Sequence, residues 1–398
     1  MSDPTSLEHV TDPSTTGSTE RFRGVVASAV GALFTEGNAV SVLRNGREIF
    51  PSMLEAIRGA ERTIDLVTFV YWTGQIAVEF AEALSARARA GVRVRIILDA
   101  FGSAPMNPEL TEMMINAGVV VERFRPMVRW KMWESDHRTH RKILVVDERV
   151  GFSGGVGIAE EWQGDARNPQ EWRETHFRIE GPAVLGLRAA FLTDWRDCGH
   201  SLDVSDIETE IPPKSGDVEI AVIDGSAQIG LNDAERVLEA LVVGAAQRIL
   251  IQTPYLNPVP ELSELLGEAA QRGVSIDIVI PGPHLDKRIA DVVAEEHAAA
   301  LLGLGIRVWR YQPTMMHVKA VLVDGVIGLV GSVNVNRRSV EKDEEVGMLI
   351  LDRDVVANLE THFREDVARS VPASPSLVDR SFGRKIASTL LRPIRSEM

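Results

Sequence analysis

The sequence predicts a duplicated α/β protein: two mixed β-sheets flanked by helices, related by a pseudo-two-fold axis and meeting as a bi-lobed monomer. Two observations carry this. His140-Arg141-Lys142-Ile143-Leu144-Val145-Val146-Asp147 recurs, altered, as His317-Val318-Lys319-Ala320-Val321-Leu322-Val323-Asp324, and each copy runs on into a glycine turn, Gly154-Gly155 or Gly331-Ser332. The segments upstream of each copy also match one another, so a whole domain is duplicated rather than a motif.

Taken in order, the first 20 or so residues are rich in Ser, Thr, Asp and Pro and are expected to be disordered, without the layout of a secretion signal. Phe22 to Phe34 is an apolar run well short of the ~20 residues that a spanning helix needs, and is the one candidate membrane contact near the start. Thr63 to Phe69, Gly91 to Ile97 and Gly118 to Val121 then read as strands and have counterparts in Arg248 to Pro254, Gly273 to Val279 and Gly305 to Val308. Between them, Ala77 to Ala90 and Glu261 to Gln271 carry apolar residues three or four apart and read as helices. Such alternation of strand and helix is the signature of layered α/β sheets.

Within each cassette, the alternation His-x-Lys sets an imidazole and an ammonium on one face of a strand, where both can meet one anion. The apolar run that follows is a buried strand, and Val326 to Val330 reads as its antiparallel return after a turn at Asp324-Gly325. A single His-x-Lys on a strand is ordinarily a surface pair. Two copies matching without a gap, His140 on His317, Lys142 on Lys319 and Asp147 on Asp324, argue for a paired site.

These residues resemble the phospholipase D superfamily, whose pattern is His-x-Lys, four residues, Asp, six residues, then Gly-Gly or Gly-Ser with Asn two further on. Thr139 to Asp147, Trp172 to Pro182 and Gly331-Ser332-Val333-Asn334 through Arg338-Ser339 and Glu345 are similar to its cardiolipin synthase branch. The resemblance implies duplicated phospholipase D-like domains: a tail over 1–20, an N-terminal domain over 21–197, a linker over 198–216, a C-terminal domain over 217–372 and a helical tail over 373–398. It also implies a phosphatidyltransferase acting through a phosphohistidine, as in joining phosphatidylglycerol units into cardiolipin. Hydrolysis by water, or action on a nucleic-acid phosphodiester, is the alternative outcome. One departure stands out, because Gly157 occupies the position of the first Asn. Restoring Asn there is expected to keep or raise turnover.

A phosphodiester resists a nucleophile unless its oxygens are neutralised, an attacking atom is supplied and the departing alkoxide is protonated. Lys142 and Lys319 with the turn donors at Gly155, Ser332 and Asn334 suit the first task, and two histidines in different protonation states suit the others. The resemblance assigns attack to His140 and proton donation to His317, with the reverse left open by the symmetry of the two cassettes, and makes Glu174 and Glu345 the carboxylates that orient the imidazoles. Asp147 and Asp324 belong to the same signature, although a half-strand from the histidines they suit organising the fold. His137 could line the entrance, and His176 reads as packed.

No metal-ligand spacing occurs, so catalysis without metal or other cofactor is expected. The lone Cys198 excludes an internal disulfide and fits a reducing compartment. At 398 residues with 44% hydrophobic content the chain can build two cores, and its net charge of −14 disfavours a polyanion such as DNA. The expected partner is a phospholipid met from the aqueous side, at the inner face of the cell membrane. Trp130 and Trp133, interleaved with cations, and Met315 and Met316 in the equivalent loop are the candidate membrane or substrate contacts, with a basic helix over Phe382 to Ile394 a further one.

Overall fold

The structure, a computed structural model, describes residues 15–126, 137–207, 210–225, 233–286 and 288–374. The first half supplies strands β1 (Thr35–Arg44), β2 (Thr63–Thr68), β3 (Arg93–Asp99), β4 (Val120–Phe124), β5 (Lys142–Val146), β6 (Val150–Gly154) and β7 (Thr175–Glu180). The second repeats them as β8 (Val218–Gly225), β9 (Arg248–Gln252), β10 (Ser275–Pro281), β11 (Arg307–Tyr311), β12 (Ala320–Val323), β13 (Ile327–Gly331) and β14 (Glu345–Leu351), and adds β15 (Ser370–Pro372). All of them form one sheet in the order β15-β11-β10-β9-β12-β13-β14-β8-β1-β7-β6-β5-β2-β3-β4. The order reads the same outward from the β8–β1 junction in both directions, which is the pseudo-two-fold relation that the repeat predicts. In each half three consecutive strands run parallel, β2-β3-β4 and β9-β10-β11, while the cassette hairpin, its neighbour and the edge strand β15 are antiparallel, so the sheet is mixed.

Alternate residues of the central strands serve different cores. Ile64 and Leu66 of β2 pack with Val94, Ile96 and Leu98 of β3 under α2 (Asn45–Gly59), α3 (Gln75–Arg89) and α4 (Pro108–Asn116), whereas Val67 and Ile97 face the other way. That second face is covered by α5 (Val184–Asp197) and α11 (Arg353–Ala368), whose Leu187, Phe191, Leu359 and Phe363 join strands of both halves in one shared core. Asp65 and Arg95 are paired across β2 and β3, and both are buried on this face. Asp206 of α6 (Val204–Ile207) also accepts from Arg95, at 2.9 Å. The linker segment is therefore pinned to the first half by a buried ion cluster.

The N-terminal helix α1 (Thr15–Val30) begins inside the stretch expected to be disordered. Phe22 and Val26 are fully buried in the second half's core beside α7 (Asp233–Gly244), and Arg21 pairs with Asp324 at 2.7 Å. An amphipathic run reads alike whether it covers protein or lipid; here it covers protein, and the membrane contact expected of Phe22 to Phe34 is withdrawn for these buried faces. The basic helix expected over Phe382 to Ile394 lies outside the described residues. Among the described residues no helix is long and apolar enough to cross a membrane.

Both cassette hairpins close by the same turn. Asp147 and Glu148 have φ of 53° and 59°, Asp324 and Gly325 have 53° and 67°, and the N–H three residues on donates back at 3.0 Å in each case, the mirror-image turn that suits a twisted hairpin. Left-handed Asp is tolerated here because its carboxylate is fully used. Asp147 accepts from the backbone N–H of Glu61, Arg62 and Thr63 at 2.7–2.8 Å, and Asp324 from Ala246, Gln247 and Arg248 at 2.8–2.9 Å. Each aspartate fixes the entry of the neighbouring strand. Four residues of strand lie between it and its lysine, a separation of roughly 17 Å, so neither takes part in the catalytic group with which the signature associates it.

Candidate active site

The leading ends of the cassette strands meet across the molecular axis through main-chain bonds. His140 N donates to Glu344 O at 2.9 Å and Glu344 N to Arg138 O at 2.8 Å. In the symmetric place His317 N donates to Arg173 O at 2.8 Å and Arg173 N to Met315 O at 2.9 Å. Each histidine is thereby set beside the residue that precedes the other half's glutamate.

The consequence is a crossed pairing. Glu345 of the second half faces His140 Nδ1 of the first at 3.0 and 3.1 Å, and Glu174 of the first faces His317 Nδ1 of the second at 2.6 Å. All four groups are buried. A carboxylate on Nδ1 fixes the orientation of each ring and holds a proton on that nitrogen, which makes Nε2 the basic one while the ring is neutral. Neither half holds an oriented histidine on its own.

Lys142 Nζ donates to His140 O at 2.6 Å and Lys319 Nζ to His317 O at 2.8 Å, so both ammonium groups are drawn in beside their imidazoles. Lys319 Nζ also lies 3.1 and 3.4 Å from the two ring nitrogens of His317. Burial pushes Lys142 down to about 7 and Lys319 to about 8, despite the nearby Glu345 and Glu174. His317 is pushed down to about 4 by burial and by the ammonium of Lys319. Burial raises Glu345 to about 7, whereas for Glu174 it is outweighed by the charge of Lys319 and the His317 bond, which hold the carboxyl below its usual range. Lys142 bears electrostatically on His317 and on Lys319, so the two half-sites share one field.

The turn residues divide. A Cβ at Gly155 would fall 2.3 Å from Glu174 Oε2, so glycine there lets the carboxylate close on the site. The Ser332 hydroxyl donates to Val346 O at 3.3 Å and accepts from Val346 N at 3.0 Å. It is thus spent on β14 and on Glu345 rather than offered to a phosphate, as the sequence had it. Asn334 Nδ2 donates to Ser339 Oγ at 3.1 Å, and Ser339 Oγ to Glu345 at 2.6 Å, a relay that ends on His140. Ser339 belongs to the segment that resembles the cardiolipin synthase branch, and this contact, which no spacing signals, gives it its role.

Around His317 the setting is aromatic. Trp162, in a 3₁₀ turn (Glu160–Trp162), stands edge-on to the His317 ring with centroids 5.2 Å apart, and Trp172 lies 5.3 Å from it. Phe69 stands 5.1 Å from the His140 ring. Beside the pair rather than over it, a cavity of about 660 Å³ is lined by Pro169, Trp172, Pro283, Leu285, Asp286 and Met315 among others, and the charge of Asp286 reaches Lys319. Met315 thus borders a cavity as a buried residue, but Met316 is fully buried in the shared core, where its sulfur accepts from Gln252, and cannot touch a membrane. Trp130 and Trp133 lie outside the described residues. His137 is tied through Nδ1 to Lys342 O at 2.8 Å, and His176 is packed beneath Gly154, pushed down to about 3 by burial.

Gly157 is not an empty place awaiting Asn. A Cβ there would fall 2.8 Å from Val70 and 2.9 Å from Trp162, so the asparagine expected to preserve or improve turnover has no room. Among the described residues no cluster of three or more His, Cys, Asp or Glu is arranged to hold a metal.

Comparison with known proteins returns a consistent set. The family model described as "Cardiolipin synthase, PLD-like domain" matches twice, over residues 53–180 and 238–367. Cardiolipin synthase 1 of Bacillus cereus is 29% identical over 93% of this chain and 74% of its own length. The probable cardiolipin synthase YwiE of Bacillus subtilis is 31% identical over 84% of this chain and 67% of its own. Among solved structures, phosphatidylserine synthase of Haemophilus influenzae superposes with a TM-score of 0.72 at 15% identity, covering 96% of this chain and all of that one, a likeness of fold.

Proposed function

The chain belongs to the cardiolipin synthase-like branch of the phospholipase D superfamily, and from that premise we propose that it transfers a phosphatidyl group between alcohols through a phosphohistidine. It is an enzyme of phospholipid phosphodiester transfer. The observation that carries the reading is the crossed pairing, in which each imidazole is oriented by the other half's carboxylate beside a buried lysine.

In the proposed reaction Lys142 and Lys319 neutralise the phosphodiester oxygens. His317 is the imidazole that rests neutral, since a proton on its ring would face the ammonium of Lys319. Its Nε2 attacks phosphorus while Glu174 holds Nδ1–H. The P–O bond to the leaving glycerol breaks, and His140 gives that oxygen its proton. A second phosphatidylglycerol then offers a hydroxyl, His140 takes its proton, the oxygen attacks phosphorus and the P–N bond breaks. Attack by His317 exchanges the roles implied by the resemblance. Phosphatidylglycerol as substrate, and work as a peripheral protein at the inner face of the cell membrane, are part of the same proposal.

Incubation with phosphatidylglycerol liposomes is expected to yield cardiolipin and glycerol in equal amounts. Phosphatidic acid as the product would make the enzyme a hydrolase, and cleavage of single-stranded DNA but not lipid would overturn the reading. The pH dependence follows from the site. kcat/KM should rise as His317 loses its proton through about 4 and fall as Lys142 and Lys319 lose theirs through about 7 and 8. A profile still climbing above pH 9 would contradict the role given to the lysines.

A further inference from the structure

The two half-sites are not equivalent. In the gapless register that lays His140 on His317, Gly157 falls on Asn334 and Trp162 falls on Ser339. The second half therefore carries the polar relay Asn334–Ser339–Glu345, while the first has a glycine and an indole in the same places. The two changes fit one another. Trp162 fills the volume that a side chain at 157 would need, with Cζ3 2.9 Å from the position of a Cβ there.

Packing alone does not account for this indole. Trp162 is 2% exposed, and its Nε1 has no hydrogen-bond partner among the described residues, whereas Nε1 of neighbouring Trp72 donates to Gly102 O at 2.6 Å. Buried donors in native structures are nearly always paired, and an orphan calls for a missing partner. The ring borders His317, 5.2 Å between centroids, and lies tilted by 59° against Trp172 at 4.4 Å, and Trp172 lines the adjoining cavity. The enclosed, unpaired N–H thus belongs to a ring held between an imidazole of the site and a residue that walls the adjoining space. A phosphoryl group, all acceptors, is the chemical class that such a donor fits.

We propose that Trp162 is a substrate-contacting residue whose indole N–H donates a hydrogen bond to an oxygen of the phosphoryl group beside His317, in place of the side-chain amide absent at Gly157. This rests on the reading that a phosphodiester is held between the two histidines. It makes the pair unequal by construction: a rigid, apolar-flanked donor on the His317 side and a hydroxyl–amide relay on the His140 side.

The test compares wild type with W162F, W162S, G157N and the double variant G157N/W162S. It uses thermal unfolding, turnover of phosphatidylglycerol in liposomes, and calorimetric binding of inorganic phosphate and of orthovanadate. W162F keeps an aromatic ring and loses only the donor. It should unfold like wild type, lose about 10- to 100-fold in kcat, and bind vanadate weaker by a similar factor, the scale of a hydrogen bond to a charged group. G157N alone should be destabilised, because the amide has no room. G157N/W162S, which recreates the second half's pair, should fold better than G157N and turn over faster than W162S. Phosphate and vanadate binding equal in W162F and wild type overturns the contact, whatever the lipid result. Weaker binding in W162F together with no lipid turnover by wild type would leave the contact standing and sink the proposed reaction instead.

Discussion

His317→Asn and His140→Asn should each lower phosphatidylglycerol turnover by about 10²- to 10⁴-fold with the fold intact, the range for loss of one proton-transfer or nucleophilic group. Asparagine keeps an amide N–H near the place of Nδ1–H, so Glu174 or Glu345 retains a donor and a collapse of the buried carboxylate is avoided. The two variants should then part company on a p-nitrophenyl phosphodiester. That leaving group needs no proton, so His140→Asn should recover most of the lost rate in the first step, whereas His317→Asn should recover none, having no nitrogen to attack. Trapped enzyme should carry phosphate on the peptide containing His317. Rescue of His317→Asn rather than His140→Asn would restore the roles implied by the resemblance. Undiminished lipid turnover in either variant would end the shared-site reading.

Much of this architecture is legible in the sequence because the duplication repeats every strand and its spacing, so each half corroborates the other. The cassette strands, the outer parallel strands and the helices between them fall within a few residues of expectation: α3 at Gln75–Arg89 and α8 at Pro260–Gln271 are examples. Chemistry that depends on which half meets which was not legible. Nothing in the spacing of Glu174 and Glu345 says that each serves the other half's histidine, because that follows from main-chain bonds formed only when the sheet edges join at β1 and β8. The signature aspartates show the reverse problem. A shared motif groups Asp147 with His140, yet the strand between them carries it away to cap a loop. Trp162 was invisible because a tryptophan beside Glu161 in a loop has no periodicity to betray a role. Only Gly157 in the position of Asn points to that place, and the sequence alone does not show that Trp162 is its counterpart.

Replacement of Arg173 should have the largest effect on stability. Its guanidinium is buried between the halves: Nε donates to Asp366 of α11 at 3.0 and 3.2 Å, and Nη1 to Glu174 O at 2.5 Å and Thr175 Oγ1 at 2.9 Å. One side chain thus latches the first half's glutamate strand onto the helix that covers the shared core. Arg173→Met fills a similar volume but leaves the carboxylate of Asp366, which is fully buried, with Gln252 at 3.0 Å and the more distant Arg44 at 3.5 Å. Stranding one member of a buried pair typically costs about 3–5 kcal/mol, and the urea midpoint should fall accordingly. Pairing the change with Asp366→Asn removes the stranded charge and should regain more than half of the loss, because the penalty lies in the unpaired ion more than in the missing attraction. Turnover should stay low in the double variant even where it is fully folded, since Glu174 O is still unlatched and Glu174 aims His317. Equal stability of the single and double variants would mean that Arg44 and Gln252 already satisfy Asp366. Full turnover in the double variant would mean that the latch holds the halves together without aligning the chemistry.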